Sequence, residues 1–155
     1  MANLGYVICR QLKKSGFEVE LLMEKNPPKA ADPLRFDPML NNQFPDWISF
    51  YDKTRSNWKI EIIKKMRDRK YDLIHAYVEL PIFAYFSRRN FVAHTQGSDF
   101  REMAMGNSIR GILLRRAYKR SKAILFFQPD HYPLFTTLIE GLILKKPMIW
   151  LKHWE

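Results

Sequence analysis

Short apolar runs alternate with amphipathic stretches along most of the chain, and the two patterns predict strands and helices in turn. Residues Leu4 to Lys14 place apolar side chains at helical spacing, and Ser15 and Gly16 follow, which indicates a helix that ends there. Further helices are predicted to begin near residues 57, 81, 108 and 133. The predicted strands cover residues 19–23, 73–76, 91–95, 123–127 and 148–151.

Two local features refine this pattern. Residues 26–46 contain five prolines among asparagines and aspartates, which predicts a long irregular loop. In the helix that Ser108 caps, Ile112, Leu113 and Ala117 are expected to face the core, with Tyr118 as a further candidate and the basic residues on the opposite side.

The alternation of strands and helices is typical of an α/β fold, in which a mostly parallel, Rossmann-like sheet carries helices on both faces. A chain of 155 residues has the size of one domain. We expect that domain to cover residues 1–144, with residues 145–155 as a terminal strand or a linker remnant.

The composition indicates a folded, basic protein. Hydrophobic residues make up 46% of the chain, and the net charge of +10 favours an anionic partner such as nucleic acid, an acidic lipid surface or a phosphorylated small molecule. A solubility role without any partner is the alternative. Because Cys9 is the single cysteine, no intramolecular disulfide can form, which suits a reducing interior. With no apolar run long enough to span a bilayer, we expect a cytoplasmic protein, with peripheral attachment to the membrane as an option.

Polar residues follow four of the predicted strands. They are residues 24–26, His75 with Tyr77, residues 96–99 and residues 128–130. Because parallel strands bind ligands beyond their carboxyl ends, these groups are expected to converge on one edge of the sheet.

Each of these residues also has a purely structural interpretation. Asp99 could accept hydrogen bonds from a sugar, or it could only organise the turn and the helix after it. A cleft role and burial in the core are about equally supported for His75, and burial is favoured for His94. Asp130 is more typical of a helix cap. The histidines and carboxylates lack metal-ligand spacing, so no metal site is expected.

Four segments resemble the amino-terminal domain of family 4 glycosyltransferases, which have the GT-B fold. They are residues 2–19 (ANLGYVICRQLKKSGFEV), 71–77 (YDLIHAY), 94–101 (HTQGSDFR) and 115–130 (RRAYKRSKAILFFQPD). Each motif is short, but their order and spacing match the family over most of the chain.

The resemblance implies two Rossmann-like domains facing one cleft, of which this chain would be the acceptor-binding half. A sugar would pass from a nucleotide donor to a hydroxyl of a sugar or lipid-linked acceptor, typically with retention of configuration and with no required metal or other cofactor. The implied acceptor contacts are His75, Tyr77, Gln96, Gly97, Ser98, Asp99 and Asp130. Gln96 stands where the family has a histidine, and glutamine cannot exchange protons near neutral pH.

The family's first strand and its glycine-rich loop have no counterpart in this sequence, nor does the donor-binding carboxy-terminal half. We therefore expect the chain to be inactive alone and to need a donor-binding half for any nucleotide-sugar chemistry. A central strand would also be missing, which leaves three interpretations: a shortened sequence, a strand supplied by another copy, or a degenerate remnant.

The helix predicted to begin near residue 108 is basic, and no acidic residue lies between Met103 and Pro129. The ordinary interpretation is that the basic face of this helix is solvated. The more specific interpretation is that it contacts an anionic lipid surface. The residues expected at such a contact are Arg115, Arg116, Lys119, Arg120 and Lys122.

Two rival functions remain: a non-catalytic binding or scaffold protein derived from a glycosyltransferase, and, less favoured, a basic nucleic-acid-binding protein. Because no nucleic-acid-binding signature is present, no specific nucleic acid is expected.

Overall fold

The computed structural model describes residues 3–126 and the backbone of residues 148–150. The chain divides into two compact units, Met1–Glu61 and Ile62–Glu155. Both units combine helices with short parallel strands, so the predicted α/β class with parallel pairing is confirmed and is compatible with a Rossmann-like fold. Within the described part of the chain, no helix is both long enough and apolar enough to cross a bilayer.

The first unit holds one helix and a two-stranded sheet. Helix α1 covers Leu4–Lys14, as predicted, and β1 covers Leu21–Glu24. A second strand, β2 at Ile48–Tyr51, pairs with β1 in parallel and was not predicted.

The segment predicted to be an irregular loop contains three short 3₁₀ turns, at Lys29–Ala31, Pro33–Arg35 and Pro38–Leu40. Asp32 and Asp37 each precede one of the two later turns and accept a hydrogen bond from a backbone N–H inside it. Asp37 also accepts a 2.6 Å hydrogen bond from the Tyr6 hydroxyl and pairs with Arg10 at 2.7 Å. The turns are therefore tied to α1 by a buried carboxylate.

The second unit begins within helix α2, which spans the boundary between the units, and continues as alternating strands and helices. Its elements are α2 (Trp58–Arg67), β3 (Ile74–Tyr77), α3 (Leu80–Ser87), β4 (Phe91–His94), α4 (Ile109–Arg120), β5 (Ile124–Phe126) and β6 (Met148–Trp150). The strands form a parallel sheet in the order β3-β4-β5-β6. The helix starts and the strand boundaries in this unit fall within two residues of those predicted. The helix predicted near residues 133–142 lies outside the described residues.

The two faces of this sheet differ in burial. Right-handed crossovers between neighbouring parallel strands place α3 and α4 on the same face. A row of almost wholly buried residues matches that face: Ala76, Phe91, Ala93, Ile124 and Phe126. The opposite face carries His75, Tyr77 and Val92, which are half-buried, and the fully buried His94. The polar side chains of the sheet therefore lie on the face away from α3 and α4.

Helix α4 packs through only two of the four residues predicted to face the core, Ala117 and Tyr118. Gly111, Leu114 and Tyr118 are buried, as is Ala117, whereas Ile112 is 39% exposed. The reason is a close backbone approach: a Cβ on Gly111 would come within 2.5 Å of the Gly106 carbonyl oxygen. Because only glycine fits there, its side of the helix faces the protein. The prediction that Ile112 faces the core is wrong, and Leu113 is only half-buried.

Candidate functional site

The carboxyl ends of β3 and β4 lie side by side, because Tyr77 is opposite His94 in the parallel register. This edge brings together two of the four polar groups that were predicted to converge, His75 with Tyr77 and residues 96–99. Residues 24–26 belong to the first unit, where Glu24 pairs with Lys53 at 2.7 Å. Asp130 lies outside the described residues, so the convergence of the other two groups stays a prediction.

Three rings at this edge pack together: the two imidazoles share a hydrogen bond, and the Tyr77 ring stacks on both of them, with its centroid 4.4 Å from that of His75 and 4.9 Å from that of His94. His75 Nε2 lies 2.9 Å from His94 Nδ1, and the Tyr77 hydroxyl lies 3.3 Å from His75 Nδ1. The two imidazole planes differ by only 8°, and their centroids are 5.1 Å apart. Such a separation, with the nitrogens so close, means that the rings meet edge to edge in nearly one plane. The imidazoles are therefore joined by an almost straight N–H···N hydrogen bond.

Burial keeps both imidazoles uncharged. It lowers the pKa of His75 to about 4. It also lowers the pKa of His94 to about 3, with the neighbouring His75 as a second cause. A general base works best with a pKa near the operating pH, so His75 is poorly suited to take a proton from a substrate. The neutral pair therefore adds no charge to this edge of the sheet.

The backbone directly after β3 is strained. Val78 has φ of 55°, a left-handed conformation that costs a β-branched residue about 1–3 kcal/mol. Its N–H donates a 3.2 Å hydrogen bond to the His94 carbonyl oxygen, which continues the pairing of β3 with β4 past the end of the strand. Strain of this kind concentrates at binding and catalytic sites, and here it adjoins Tyr77.

Asp99 organises the loop that follows β4. Its side chain is fully buried, and Oδ1 accepts 2.9 Å hydrogen bonds from the backbone N–H groups of Gln96 and Gly97. The other oxygen, Oδ2, accepts a 3.2 Å hydrogen bond from the Tyr118 hydroxyl of α4. Burial, and then the nearby carboxylate, raise the pKa of Tyr118 well above its usual value. These contacts agree with the structural interpretation of Asp99, and its direct contact with an acceptor stays a prediction.

The loop continues as a π-helical segment, Asp99–Ala104, which α4 holds in place. Arg115 donates hydrogen bonds from Nη1 to the carbonyl oxygens of Ala104 and Gly106, the latter at 2.8 Å. With the buried Asp99 and the close approach at Gly111, the loop has three fixed points on α4. Such a loop presents its exposed groups in a defined position, and π-helical turns are frequent at functional sites.

Between β4 and the π-helical segment, Gln96 and Ser98 are exposed and Gly97 between them is buried. Gly97 has φ of 123°, a conformation that side chains rarely adopt, so glycine is required for the chain to turn here. The alternation places an amide and a hydroxyl at the surface beyond the carboxyl end of β4.

The five basic residues predicted to contact an anionic surface have different environments. Arg115 is engaged by the π-helical segment, and Arg120 lies over the Tyr85 ring at 5.9 Å and donates to the Arg88 carbonyl oxygen. Arg116, Lys119 and Lys122 are exposed. Helical spacing puts Ile109 and Ile112 on the same side of α4 as Arg116 and Lys119, and Ile109 is 78% exposed.

Sequence reasoning missed the partners that hold the site together. It expected His94 to be buried, which it is, but did not predict its bond to His75. Both histidines lie near the carboxyl ends of consecutive apolar strands, so parallel pairing in this register could have suggested their contact. The hydrogen bonds of Arg115 and Tyr118 carried no comparable signal, because they depend on how α4 packs.

Among residues 3–126 and 148–150, no group of three or more histidine, cysteine, aspartate or glutamate residues is arranged to hold a metal ion. The predicted site residues that the structure describes are uncharged rings, an amide, a hydroxyl and a buried carboxylate, and the charged Glu79 and Arg101 lie in the same two stretches of chain. Comparison with protein-family models finds no family that matches the chain, and comparison with curated proteins finds no match.

Proposed function

We propose that this chain is the acceptor-binding half of a glycosyltransferase, which transfers a sugar from a nucleotide donor to a hydroxyl of a sugar or lipid-linked acceptor. The observation that supports it most is the row of uncharged hydrogen-bonding groups at the carboxyl ends of β3 and β4. Tyr77 is half-buried and Gln96 and Ser98 are exposed, so donors and acceptors lie together at one edge. Sugars are recognised through such groups, since their hydroxyls both donate and accept hydrogen bonds.

The site also indicates what this half does not do. A histidine with a pKa of about 4 is a weak base, so the described residues favour holding an acceptor over deprotonating it. The donor sugar and the completing chemistry would come from a second half, on another segment or on a separate polypeptide. We therefore expect no measurable hydrolysis of nucleotide sugars by this chain alone, and robust turnover would overturn this division of labour.

Binding to an array of immobilised glycans and glycolipids tests the acceptor role. We expect the wild-type chain to bind at least one hydroxyl-rich glycan. The double variant Gln96→Ala/Ser98→Ala should bind it about 30-fold more weakly, since two hydrogen bonds are worth about 1 kcal/mol each. Asn90→Ala is the matched control, because Asn90 is an exposed amide at the other end of β4 and should leave binding unchanged. A folded chain that binds no glycan, or binding that the double variant retains, would overturn the proposal.

A scaffold protein descended from such an enzyme would bind glycans in the same way. The DNA on either side of the gene distinguishes an enzyme half from a scaffold protein. An enzyme half requires that a first strand with its glycine-rich loop and a donor-binding domain be encoded nearby. If neither is encoded there, the scaffold function is favoured over the enzyme function.

A second candidate function is attachment to an anionic membrane, at its cytoplasmic face, where a lipid-linked acceptor would be found. The outer side of α4 supports it, because the exposed Ile109 and Ile112 adjoin Arg116 and Lys119 there. Apolar side chains next to basic ones are typical of helices that lie in a lipid interface. Each basic residue near such a surface is worth about 1 kcal/mol.

Vesicle sedimentation tests this attachment. Arg116→Gln/Lys119→Gln should weaken binding to vesicles containing phosphatidylglycerol about 30-fold, since two favourable charges are lost. Lys13→Gln/Lys14→Gln, which removes two exposed charges from the end of α1, is the control and should have little effect. Equal weakening by both pairs would mean that net charge alone drives binding, and tighter binding to RNA than to vesicles would favour the nucleic-acid alternative.

A further inference from the structure

Three carboxylates lie in the loops that follow β3 and β4, and they differ in how fully the protein itself uses them. Both oxygens of Asp99 accept hydrogen bonds from groups of the protein, so this buried side chain has little capacity left for a ligand. Glu102, in the π-helical segment, is exposed. Glu79, directly before α3, is half-buried, with 30% of its side chain accessible. Glu79 is therefore open to a ligand while the protein around it restricts its motion.

The Glu79 carboxylate is directed from α3 towards α4. Glu79 is the N-cap residue of α3, yet its side chain makes no capping hydrogen bond to that helix. Its Oε2 atom lies 3.9 Å from Nη1 of Arg110, in the first turn of α4. At that distance the two groups attract each other without a hydrogen bond, so Arg110 restrains the carboxylate and leaves its oxygens able to accept from a ligand. A side chain that is already restrained loses less conformational entropy on binding than an exposed one such as Glu102.

The turn after β3 brings Glu79 to the carboxyl edge of the sheet. Val78, whose φ is 55°, separates Glu79 from Tyr77, and the Val78 N–H is bonded to the His94 carbonyl oxygen. Glu79 therefore comes directly after the point where β3 and β4 are still joined. A strained conformation is kept only where the surrounding structure enforces it, and here it turns the chain so that α3 begins after Glu79. The carboxylate thus lies at the same edge of the sheet as the exposed Gln96 and Ser98.

We infer that Glu79 is the carboxylate that binds the acceptor, and that Arg110 is a positioning residue that holds it. The two oxygens of a carboxylate can together accept about four hydrogen bonds, so they can receive two adjacent hydroxyls of one sugar ring. This inference rests on the proposed acceptor-binding function and narrows it to acceptors with two adjacent free hydroxyls. A phosphate or a carboxylate at that place on the sugar would be repelled by Glu79. The role that the sequence suggested for Asp99 is thereby assigned to Glu79.

Competition on the glycan array tests this inference. The probes are the glycan that the wild-type chain binds, used in soluble form, and analogues of it that each lack one hydroxyl of the terminal sugar. For the wild type, the analogues that lack either of two adjacent hydroxyls should compete about 10-fold more weakly, because each loses one hydrogen bond to a charged group. Glu79→Ala should bind the complete glycan about 100-fold more weakly and should no longer distinguish it from those two analogues.

Three further variants separate a ligand contact from a structural role. Arg110→Ala breaks the same ion pair, but it should weaken binding only about 3-fold and keep the preference for the complete glycan. Glu102→Ala removes the exposed carboxylate of the neighbouring loop and is the matched control, with binding expected to be unchanged. Should Glu79→Ala fail to fold, Glu79→Gln repeats the comparison with a side chain of the same size, and it should bind about 10-fold more weakly.

The possible outcomes distinguish this inference from the proposed function. A wild type that is indifferent to every pair of adjacent hydroxyls would overturn the inference and leave the proposed function standing. Equal weakening by Glu79→Ala and Arg110→Ala, with the preference kept in both, would do the same, because it would mean that Glu79 only joins α3 to α4. A folded wild-type chain that binds no glycan would overturn the proposed function together with the inference.

Discussion

Replacing Asp99 by alanine will lower the free energy of unfolding by about 3 kcal/mol, because it leaves buried hydrogen-bond donors without an acceptor. The carboxylate accepts from the backbone N–H groups of Gln96 and Gly97 and from the Tyr118 hydroxyl, and it is fully buried. Urea denaturation, followed by circular dichroism, measures the change. Asp99→Asn keeps one acceptor oxygen and should lose less, about half as much.

Two further variants show where that loss comes from. Tyr118→Phe removes one of the three hydrogen bonds and should cost about 1 kcal/mol. Ser98→Ala, at an exposed position of the same loop, should change stability by less than about 0.5 kcal/mol. A loss below about 1 kcal/mol for Asp99→Ala would mean that Asp99 does not hold the loop and is available for a ligand, as in the rival interpretation.

Acidification from about pH 7 to about pH 5 will destabilise the protein by about 3 kcal/mol through His75 and His94. In the unfolded chain both imidazoles have the ordinary pKa of 6.5 and take up protons below it. In the folded chain their pKa values are about 4 and about 3, so they stay neutral. The unfolded state therefore binds more protons, and this part of the stability is present above pH 6.5 and is lost as the pH falls towards 4.

The variant His75→Asn/His94→Asn isolates this effect, because asparagine does not titrate. Urea denaturation of both proteins at a series of pH values gives the difference, from which all other titrating groups cancel. The double variant should be less sensitive to acid by about 3 kcal/mol over that range. Parallel pH profiles for the two proteins would show that the imidazoles are not kept neutral by the fold.

The periodic elements could be read from the sequence because each has a strong local pattern. Helix α1 was predicted with its observed ends, since two lysines, Ser15 and Gly16 mark its stop. Strand β2 was missed because Ile48–Tyr51 follows directly on a segment rich in proline and asparagine. A parallel strand this short is stabilised by its partner strand, and the sequence of the strand alone does not predict that pairing.

The sequence predicted which residues lie at this edge of the sheet, but it did not predict the hydrogen bonds that hold them there. The rule that ligands bind beyond the carboxyl ends of parallel strands placed His75, Tyr77 and the 96–99 loop at one edge, where β3 and β4 bring them together. The structural roles of Asp99 and Arg115 depend on Tyr118 and on the close approach at Gly111, which arise only when α4 packs against the loop. Side-chain partners of this kind are set by tertiary contacts, and no periodic pattern in the sequence predicts them.

Amide chemical-shift mapping of the ¹⁵N-labelled chain, titrated with the glycan that binds it on the array, tests the central claim most directly. If the edge formed by β3 and β4 receives the acceptor, the largest shifts should fall on residues 77–79 and 96–101. Shifts concentrated on α1, on β1 and β2, or on the outer side of α4, or no shifts at all, would contradict an acceptor site at this edge.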